Sequence, residues 1–174
     1  MSSGERLDTA VEAGAVIGHT ILGLHIALTK RMKAMAAGFS FEMKSGTRAP
    51  TVRDGWLPPK DPGVEDFPFI IVRPSQGEDS QQGGDQVGAA TMKIIVGTFA
   101  DDDIGWFDIM LVIDAIRDDL GEEPVLEGTA YEHWGPLGWE IPEQQPRPQW
   151  FGVVTTQWNV PRPRRVEARD PEEG

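Results

Sequence analysis

The chain has 174 residues, a net charge of −12 and no cysteine, and 39% of its residues are apolar. This length fits one domain, because a single hydrophobic core commonly serves ~100–200 residues, and the apolar content is sufficient to build that core. The absence of cysteine excludes disulfides, thiol catalysis and a cysteine-based zinc site.

The charge is unevenly distributed along the chain. Residues 1–60 carry eight Lys and Arg against five Asp and Glu, whereas residues 61–174 carry eight against twenty-three. The first third is therefore +3 and the remainder −15. A body this acidic repels phosphates, which argues against broad nucleic-acid binding. Two interpretations stay open. The acidic surface keeps the protein soluble, or it lines a channel through which DNA passes without binding to the wall.

The amino terminus shows no secretion or membrane signal. Met1 to Glu5 are not a basic start leading into an apolar run, so no signal peptide is expected. The longest apolar tract, Ala13 to Leu28, is interrupted by polar residues and glycines and is shorter than the ~20 residues of a membrane span. We therefore expect a protein that stays inside the cell and does not cross a membrane.

A long N-terminal helix is predicted from apolar residues that recur at steps of three and four. These are Leu7, Val11, Gly14, Ile17, Ile21, Leu24, Leu28, Met32 and Met35. Gly14, Gly18 and Gly23 within this run indicate either close packing or a bend. Gly38 is the expected end of the helix.

The next segment combines a short strand with a loop rich in proline. Phe39, Phe41 and Met43 alternate with polar residues, which predicts a strand that could begin a hairpin. Residues 45–63 contain four prolines and three glycines, so regular structure is not expected there. Loops of this length are commonly functional or disordered, and Trp56-Leu57 gives this one an apolar anchor.

Two apolar runs predict strands that are covered on both faces. They are Phe67 to Arg73, with Pro68 at its start, and Met92 to Phe99. Residues 74–88 between them are rich in Ser, Gln, Gly and acidic residues. We interpret this segment as an exposed flexible connection or an extended hairpin tip.

A second helix follows Asp101-Asp102-Asp103. Its apolar face is predicted to comprise Trp106, Ile109, Met110, Ile113, Ile116 and Leu120. The three aspartates are expected to cap the first amides and to complement the helix dipole. Gly121 is placed where a left-handed cap would end the helix.

The last third of the chain predicts two more strands and a tail. Residues 137–141 and 151–160 alternate in hydropathy and are joined by a segment rich in proline, residues 142–148. Trp134, Trp139, Trp150 and Trp158 are assigned mostly to the core, although aromatic residues also serve as interface anchors. We expect one α+β domain over residues 1–160 and a mobile tail over residues 161–174, unless a partner orders the tail.

The usual signatures of catalysis and metal binding are missing from the sequence. His19, His25 and His133 do not form an i, i+4 pair. A calcium loop starting at Asp101 would need Gly and Glu where Trp106 and Val112 stand. The chain has no nucleophile elbow and no phosphate-binding loop. The sequence therefore predicts no catalytic residue, no cofactor and no metal.

One alternative is a hydrolase that binds a metal through Asp101, Asp103 and Glu122 or Glu123. These carboxylates stand at opposite ends of one predicted helix, roughly 30 Å apart at ~1.5 Å per residue. They cannot share one ion.

The order of segments between residues 66 and 161 is distinctive. Phe67 to Pro74 is followed by Gly-Glu-Asp-Ser at residues 77–80, Lys93 to Phe99, the aspartate-rich helix start, Trp139-Glu140-Ile141-Pro142, Gln145-Pro146 and Trp150-Phe151-Gly152. In this order and spacing the segments resemble the tail terminator or tail completion proteins of long-tailed bacteriophages. The N-terminal helix is less distinctive, and residues 45–63 and the tail have no counterpart in the resemblance.

The resemblance implies an α+β fold in which a mixed or largely antiparallel sheet is flanked by the long N-terminal helix and a second, central helix. It also implies a structural protein of the virion, not an enzyme, with six copies closing into a ring at the neck. The partners would be other copies of the chain, the tail tube protein and the head connector or stopper, with no membrane. DNA would pass through the lumen without specific binding. The alternative within the same setting is another neck component, a connector or stopper.

Two segments are the candidate interface with a neighbouring subunit or the lumen. The first is the acidic loop, with Glu78, Asp79, Ser80, Gln81 and Gln82. The second is Trp56-Leu57, because a buried aromatic anchor gives a long loop binding energy. A solvated hairpin tip without a partner is the alternative interpretation of the first segment.

Overall fold

The structure is a computed structural model that describes residues 17–57, 66–82 and 85–162. The N-terminal helix, α1, spans Ile21–Ala36 and follows a single 3-10 turn at Ile17–His19. It begins at Ile21 because the Thr20 hydroxyl accepts a hydrogen bond from the backbone N–H of Gly23 at 3.0 Å. A helix continuous through residues 18–20 was therefore wrong, and its predicted start at Leu7 lies outside the described residues. It ends just before Gly38, as expected.

Three short strands follow α1. Strands β1 (Phe41–Met43) and β2 (Gly46–Arg48) form an antiparallel hairpin, which confirms the hairpin predicted from the alternation. Strand β3 covers Thr51–Asp54. The expectation that residues 45–63 lack regular structure was thus wrong for their first part, because β2 and β3 obtain their hydrogen bonds from neighbouring strands. Residues 58–65 lie outside the described part of the chain.

The main sheet is built around a long hairpin, β4 (Phe69–Gln82) and β5 (Asp85–Phe99). Of the two interpretations of residues 74–88, the flexible connection was wrong, because strands run through residues 74–82 and 85–88. The register continues from Phe69↔Gly97 to Gln82↔Asp85, with one irregularity between Pro74 and Gln76. The alternative interpretation of this segment, an extended hairpin tip, is the one observed.

Three further strands complete this sheet. They are β6 (Glu132–His133), β7 (Gly138–Glu140) and β8 (Gln149–Pro161). The order is β3-β4-β5-β8-β6, and β7 also pairs with β8. Among the described strands, only β3 runs parallel to its neighbour. This is the α+β fold with a largely antiparallel sheet that the sequence predicted. The tail from residue 163 onward lies outside the described residues.

The second helix, α2, spans Trp106–Glu122, and both of its predicted caps were wrong. Its N-cap is Gly105 and makes no side-chain hydrogen bond. Asp102 instead accepts a hydrogen bond from the backbone N–H of Ile104 at 3.2 Å, within the turn before the helix. Gly121 lies inside α2, and the C-cap residue is Glu123. Gly121 therefore needs no left-handed conformation.

Both helices pack on one face of the sheet and form the main core with it. From α1 this core takes Leu24, Leu28 and Met32, and from α2 it takes Ile109, Ile113 and Ile116. The other face carries a smaller aromatic cluster of Phe67, Phe69 and Ile71, against which Phe99 and Phe151 pack. The strand predicted to be covered on both faces, now β4, is covered as expected in its first four residues.

Two of the four late tryptophans are not core residues. Trp150 and Trp158 are buried, but Trp134 and Trp139 leave about half of their surface exposed (50% and 49%). Trp134 lies just after β6 and Trp139 lies in β7. Both strands are short and pair with β8 at the edge of the sheet. None of the described helices is long and apolar enough to cross a membrane.

Candidate functional site

The outer half of the β4–β5 hairpin forms an arm that reaches beyond the helix-covered body. We define the arm as residues 74–82 and 85–89, since Ala90 belongs to the main core. Strand β3 pairs only with Phe69–Val72, so from Arg73 onward β4 has β5 as its one strand neighbour among the described residues. The eight steps of strand from Pro74 to Gln82 extend about 26 Å. The arm therefore presents a long open edge.

The five acidic-loop residues predicted as an interface do not share one face of the arm. The register skips Ser75 between Pro74↔Met92 and Gln76↔Thr91, which places an extra residue in β4. After this bulge, Glu78 and Ser80 point to the helix-free face. Asp79 and Gln81 point to the other face, and Gln82 pairs through its backbone with Asp85 at the tip.

Asp79 is held by an ion pair across the arm. Its carboxylate lies 3.0 Å from the guanidinium of Arg162, which follows β8. Between them runs β5, where Gly88 pairs with Asp79 on one side and with Val160 on the other. A methyl group on Gly88 would lie 2.7 Å from the Val160 carbonyl oxygen and 3.1 Å from the Asp79 carboxylate. Only glycine leaves room for the Asp79 side chain to cross.

Trp56 and Leu57 lie at the root of the arm. The His25 ring contacts the Asp54 carboxylate at 3.0 Å, which fixes the end of β3. Gly55 then adopts a φ of +70° and donates its N–H to the Val72 carbonyl oxygen. The turn leaves Trp56 69% exposed, with the Arg73 guanidinium 5.2 Å from the centre of its ring.

The structure therefore places both predicted interface segments along the β4 edge without joining them. The guanidinium of Arg73 lies against the Trp56 ring. Arg73 and Glu78 are five residues apart on β4, about 15 Å along the strand. Trp56 and Leu57 are exposed, so they are not a buried anchor within this chain. As an exposed aromatic pair they stay candidates for a contact with another molecule.

An apolar patch at the start of α2 was missed in the sequence. It consists of Ile104, Trp106, Phe107 and Leu111, which are 61%, 42%, 54% and 50% exposed. The Trp106 and Phe107 rings lie 5.1 Å apart, and Phe107 and Leu111 are one helical turn apart. We call these four residues the α2 patch. The signal was available, since residues 104, 107 and 111 are spaced as a second apolar stripe opposite the buried one.

A groove lies at the opposite end of α2. It runs between α1 and the segment from Asp119 to Tyr131 and has a volume of about 750 Å³. On the α1 side it is lined by Gly23, Ala27, Lys30, Ala34 and Met35. We call it the α1 groove.

Arg31 holds the two walls of the α1 groove together. Its guanidinium contacts the Asp119 carboxylate at 2.7 Å and donates to the carbonyl oxygens of Asp119 and Val125. A carbonyl oxygen in the last turn of α2, that of Asp119, thereby accepts a hydrogen bond from a cation on α1. The groove is a fixed feature of the helix layer, since its walls are joined by these bonds.

The carboxylates of the described residues do not form a metal-binding cluster. No group of three or more His, Asp or Glu side chains there is placed to hold a metal ion. Asp101 and Asp103 precede α2 and Glu122 and Glu123 follow it, so the 17-residue helix separates the two pairs. Burial and the nearby Asp102 raise the pKa of Asp108. Asp108 lines an open depression together with Glu42, Asp101 and Asp102.

No family model matches the chain, and no curated protein matches it either.

Proposed function

We propose that this chain is a structural protein of a phage virion, a tail terminator whose copies close into a ring at the end of the tail tube. The ring stops tube growth, offers a surface to the head connector, and lets DNA pass through its lumen. The observation that carries the proposal is the arm, a long polar extension of the main sheet that is held by the Asp79–Arg162 ion pair and has Trp56 beside Arg73 at its root. Such an arm is suited to reach a neighbour or a lumen.

The segments behind the resemblance support the proposal by their position. They form β4, β5, α2, β7 and β8, which together make up most of the main sheet and one of its two covering helices. The resemblance thus covers a contiguous structural unit. The acidic balance of residues 61–174 fits the same role, because a negative surface does not retain passing DNA.

The open edge of the arm is protected against uncontrolled pairing. Pro74 offers no backbone N–H, the adjacent bulge bends the edge, and Glu78 and Asp79 place negative charge along it. Identical edges of two copies would bring like charges together. A ring needs heterologous contacts that close, so an edge that rejects its own copy favours specific contacts at other surfaces.

The experiment is to produce phage without this protein and to image the tails. Tubes of abnormal length support a terminator. Tails of normal length that fail to join heads would contradict this function and assign the chain to the connector or stopper. Light scattering on the purified protein, alone and with tube protein, adds the assembly state. A chain that stays at 19.1 kDa under both conditions would contradict the ring.

A charge reversal in the arm tests the same function with the fold intact. Glu78→Lys places a cation on the helix-free face of the arm, where Glu78 is exposed. The expected result is an unchanged melting temperature together with loss of tail-length control. Glu132→Lys, a reversal at an exposed site in β6, is the matched control and is expected to act as wild type. Equal behaviour of the two variants in the phage assay would remove the arm from the mechanism.

A further inference from the structure

One end of the α1 groove lies where the described chain begins. Gly18 lines this end, and Tyr131 lines it from the opposite wall. The Tyr131 hydroxyl accepts a hydrogen bond from the Thr20 N–H at 3.2 Å and donates one to the Thr20 carbonyl oxygen at 2.9 Å. These two bonds hold Thr20 at this end, which we call the mouth of the groove. Residues 1–16 of the sequence therefore enter the described structure at the mouth.

The chain changes direction just before α1. Thr20 is extended, with a φ of −111° and a ψ of 154°, and its hydroxyl caps the helix. The residues before Thr20 therefore do not continue the axis of α1 as one straight helix. A segment that turns back at the mouth runs antiparallel to α1, along the groove.

The length of residues 1–16 is sufficient for the groove. Gly23 and Met35 are the first and last residues of α1 that line it, and they are twelve residues apart, about 18 Å along the helix axis. Sixteen residues span about 24 Å as a helix and more as an extended chain. The segment can therefore reach the far end of the groove in either conformation.

The apolar residues of this segment recur with a helical spacing. Leu7, Val11 and Gly14 stand at steps of four and three, which gathers them on one face of a helix. In a helix that starts at the mouth and runs antiparallel to α1, Leu7 lies beside Ala34, because both are about equally far along the chain from Thr20. The apolar face of the segment then lies against the helix that forms the groove wall.

The charges of the groove permit this occupant. The charged lining residues are Lys30, Arg31, Asp119, Glu123 and Glu127. Arg31 contacts Asp119 and Glu123, whereas Lys30 and Glu127 have no ion-pair partner among the described residues. Residues 1–16 carry one cation, Arg6, and three acidic residues, so they can supply a partner of either sign. Position and length select the segment, and charge does not oppose it.

Attachment to the chain favours this segment over a separate molecule. A short tether gives a segment an effective concentration in the mM range at its site. A second copy or another protein has to bind from solution and loses the translational and rotational freedom of a whole molecule. The segment that begins at the mouth of the groove is therefore the favoured occupant.

We propose that residues 1–16 of this chain turn back at the mouth and bind in the α1 groove, antiparallel to α1, with Leu7 and Val11 against the helix. The groove has a volume of about 750 Å³, within the ~300–1,000 Å³ of sites that enclose apolar groups. The proposal concerns a single copy of the chain, so it does not depend on the function proposed above.

Introduced cysteines test the contact directly, because the chain has none of its own. Leu7→Cys and Ala34→Cys are combined in the full chain and treated with a short bis-maleimide at low protein concentration. Peptide mass spectrometry should find residues 7 and 34 joined within one chain, in a yield that dilution does not change. Leu7→Cys with Lys93→Cys is the matched control. It should not give an internal link, because Met92 and Ile94 face the main core and Lys93 points to the helix-free face of the sheet.

Three crosslinking results would overturn the proposal. Cysteines that both react with a monofunctional maleimide but form no link would show that the segment does not lie in the groove. Dimers in place of the internal link, in a yield that falls on dilution, would show that the groove binds the segment of another copy. An equally strong internal link in the Lys93→Cys control would show that the segment has no fixed position.

Hydrogen exchange provides a second readout in the full chain. Ala34→Trp places a large ring in the groove, whereas the control Leu22→Trp places the same ring at an exposed α1 position that does not line it. Amides of residues 6–16 should exchange about tenfold more slowly than in an unstructured peptide if the segment leaves the groove about a tenth of the time. The control should keep this protection and Ala34→Trp should lose it, with exchange in α2 unchanged. Wild type without protection, or equal protection in the two variants, would contradict the proposal.

Discussion

Gly88→Ala tests how the close packing at Gly88 stabilises the arm, without replacing an apolar side chain of the core. The added methyl group meets the Val160 carbonyl oxygen at 2.7 Å, and backbone cannot swing aside as a flexible side chain can. It also meets the Asp79 carboxylate at 3.1 Å and so displaces Asp79 from Arg162. Overpacking of this kind costs about 1–3 kcal/mol. Alanine recovers about 0.5–1 kcal/mol of backbone entropy, so the net loss is expected to lie between about 0 and 2.5 kcal/mol.

The loss should be confined to the arm. Hydrogen exchange measured by mass spectrometry is expected to show faster exchange in peptides covering residues 76–90, with α2 and the body of β8 unchanged. Asp79→Asn is the control for the ion pair alone and should cost under about 1 kcal/mol, since both partners are partly exposed. Exchange in the arm of Gly88→Ala that is as slow as in wild type would refute the packing argument.

Three further predictions concern the helix layer and the sheet edge. Arg31→Ala should lower the free energy of unfolding by about 2–3 kcal/mol, because the Asp119 carboxylate and the carbonyl oxygens of Asp119 and Val125 lose their cation. Chemical denaturation measures this loss. The control Arg117→Ala breaks an exposed i, i+3 pair and should cost under about 0.5 kcal/mol. Gly121→Ala should stabilise the protein by up to about 1 kcal/mol, since the site is helical and open; a lower melting temperature would contradict this. Burial lowers the pKa of His133 below 6.5, so the unfolded chain binds the proton more readily than the folded one. The free energy of unfolding should therefore fall as the pH drops from 7.5 to 5.5. His133→Gln should reduce this dependence of the free energy of unfolding on pH.

The elements with a strong apolar period were the ones that sequence could predict. Ile109, Ile113, Ile116 and Leu120 mark the buried face of α2 without ambiguity, and all four are buried. The caps failed because carboxylates and a glycine near a helix end indicate a boundary without fixing its residue. Asp102 found a partner in the preceding turn, and α2 simply continued through Gly121.

The sequence allowed an extended hairpin here but could not choose it over a flexible connection, because β4 has no apolar face within the arm. Residues 76–82 are polar on both sides, and polar residues rich in Gly and Ser usually indicate a loop. What holds them as strand is the continuous register with β5 and the support of β8 as far as Val87↔Pro161. Long-range pairing of this kind leaves no periodic signal in the arm itself.

The candidate site was predicted in part for the same reason. Glu78 was correctly expected to be exposed, because charge reports on exposure. Trp56 was expected to be a buried anchor, but it is exposed. The division of residues 78–81 between the two faces of the arm depends on the bulge at Ser75, which no local pattern indicates. The α2 patch was missed because Trp106 was assigned to the buried face, although it is 42% exposed beside Phe107.

The distribution of charge and apolar surface gives the proposed assembly a consistent physical basis. Repulsion between chains of net charge −12 acts over about one Debye length, ~8 Å at physiological salt, whereas apolar contact acts only at touching distance. Copies that approach by their acidic arms are therefore turned away. An edge that turns away its own copy leaves the ring contacts to other surfaces, and these contacts must be heterologous for the ring to close.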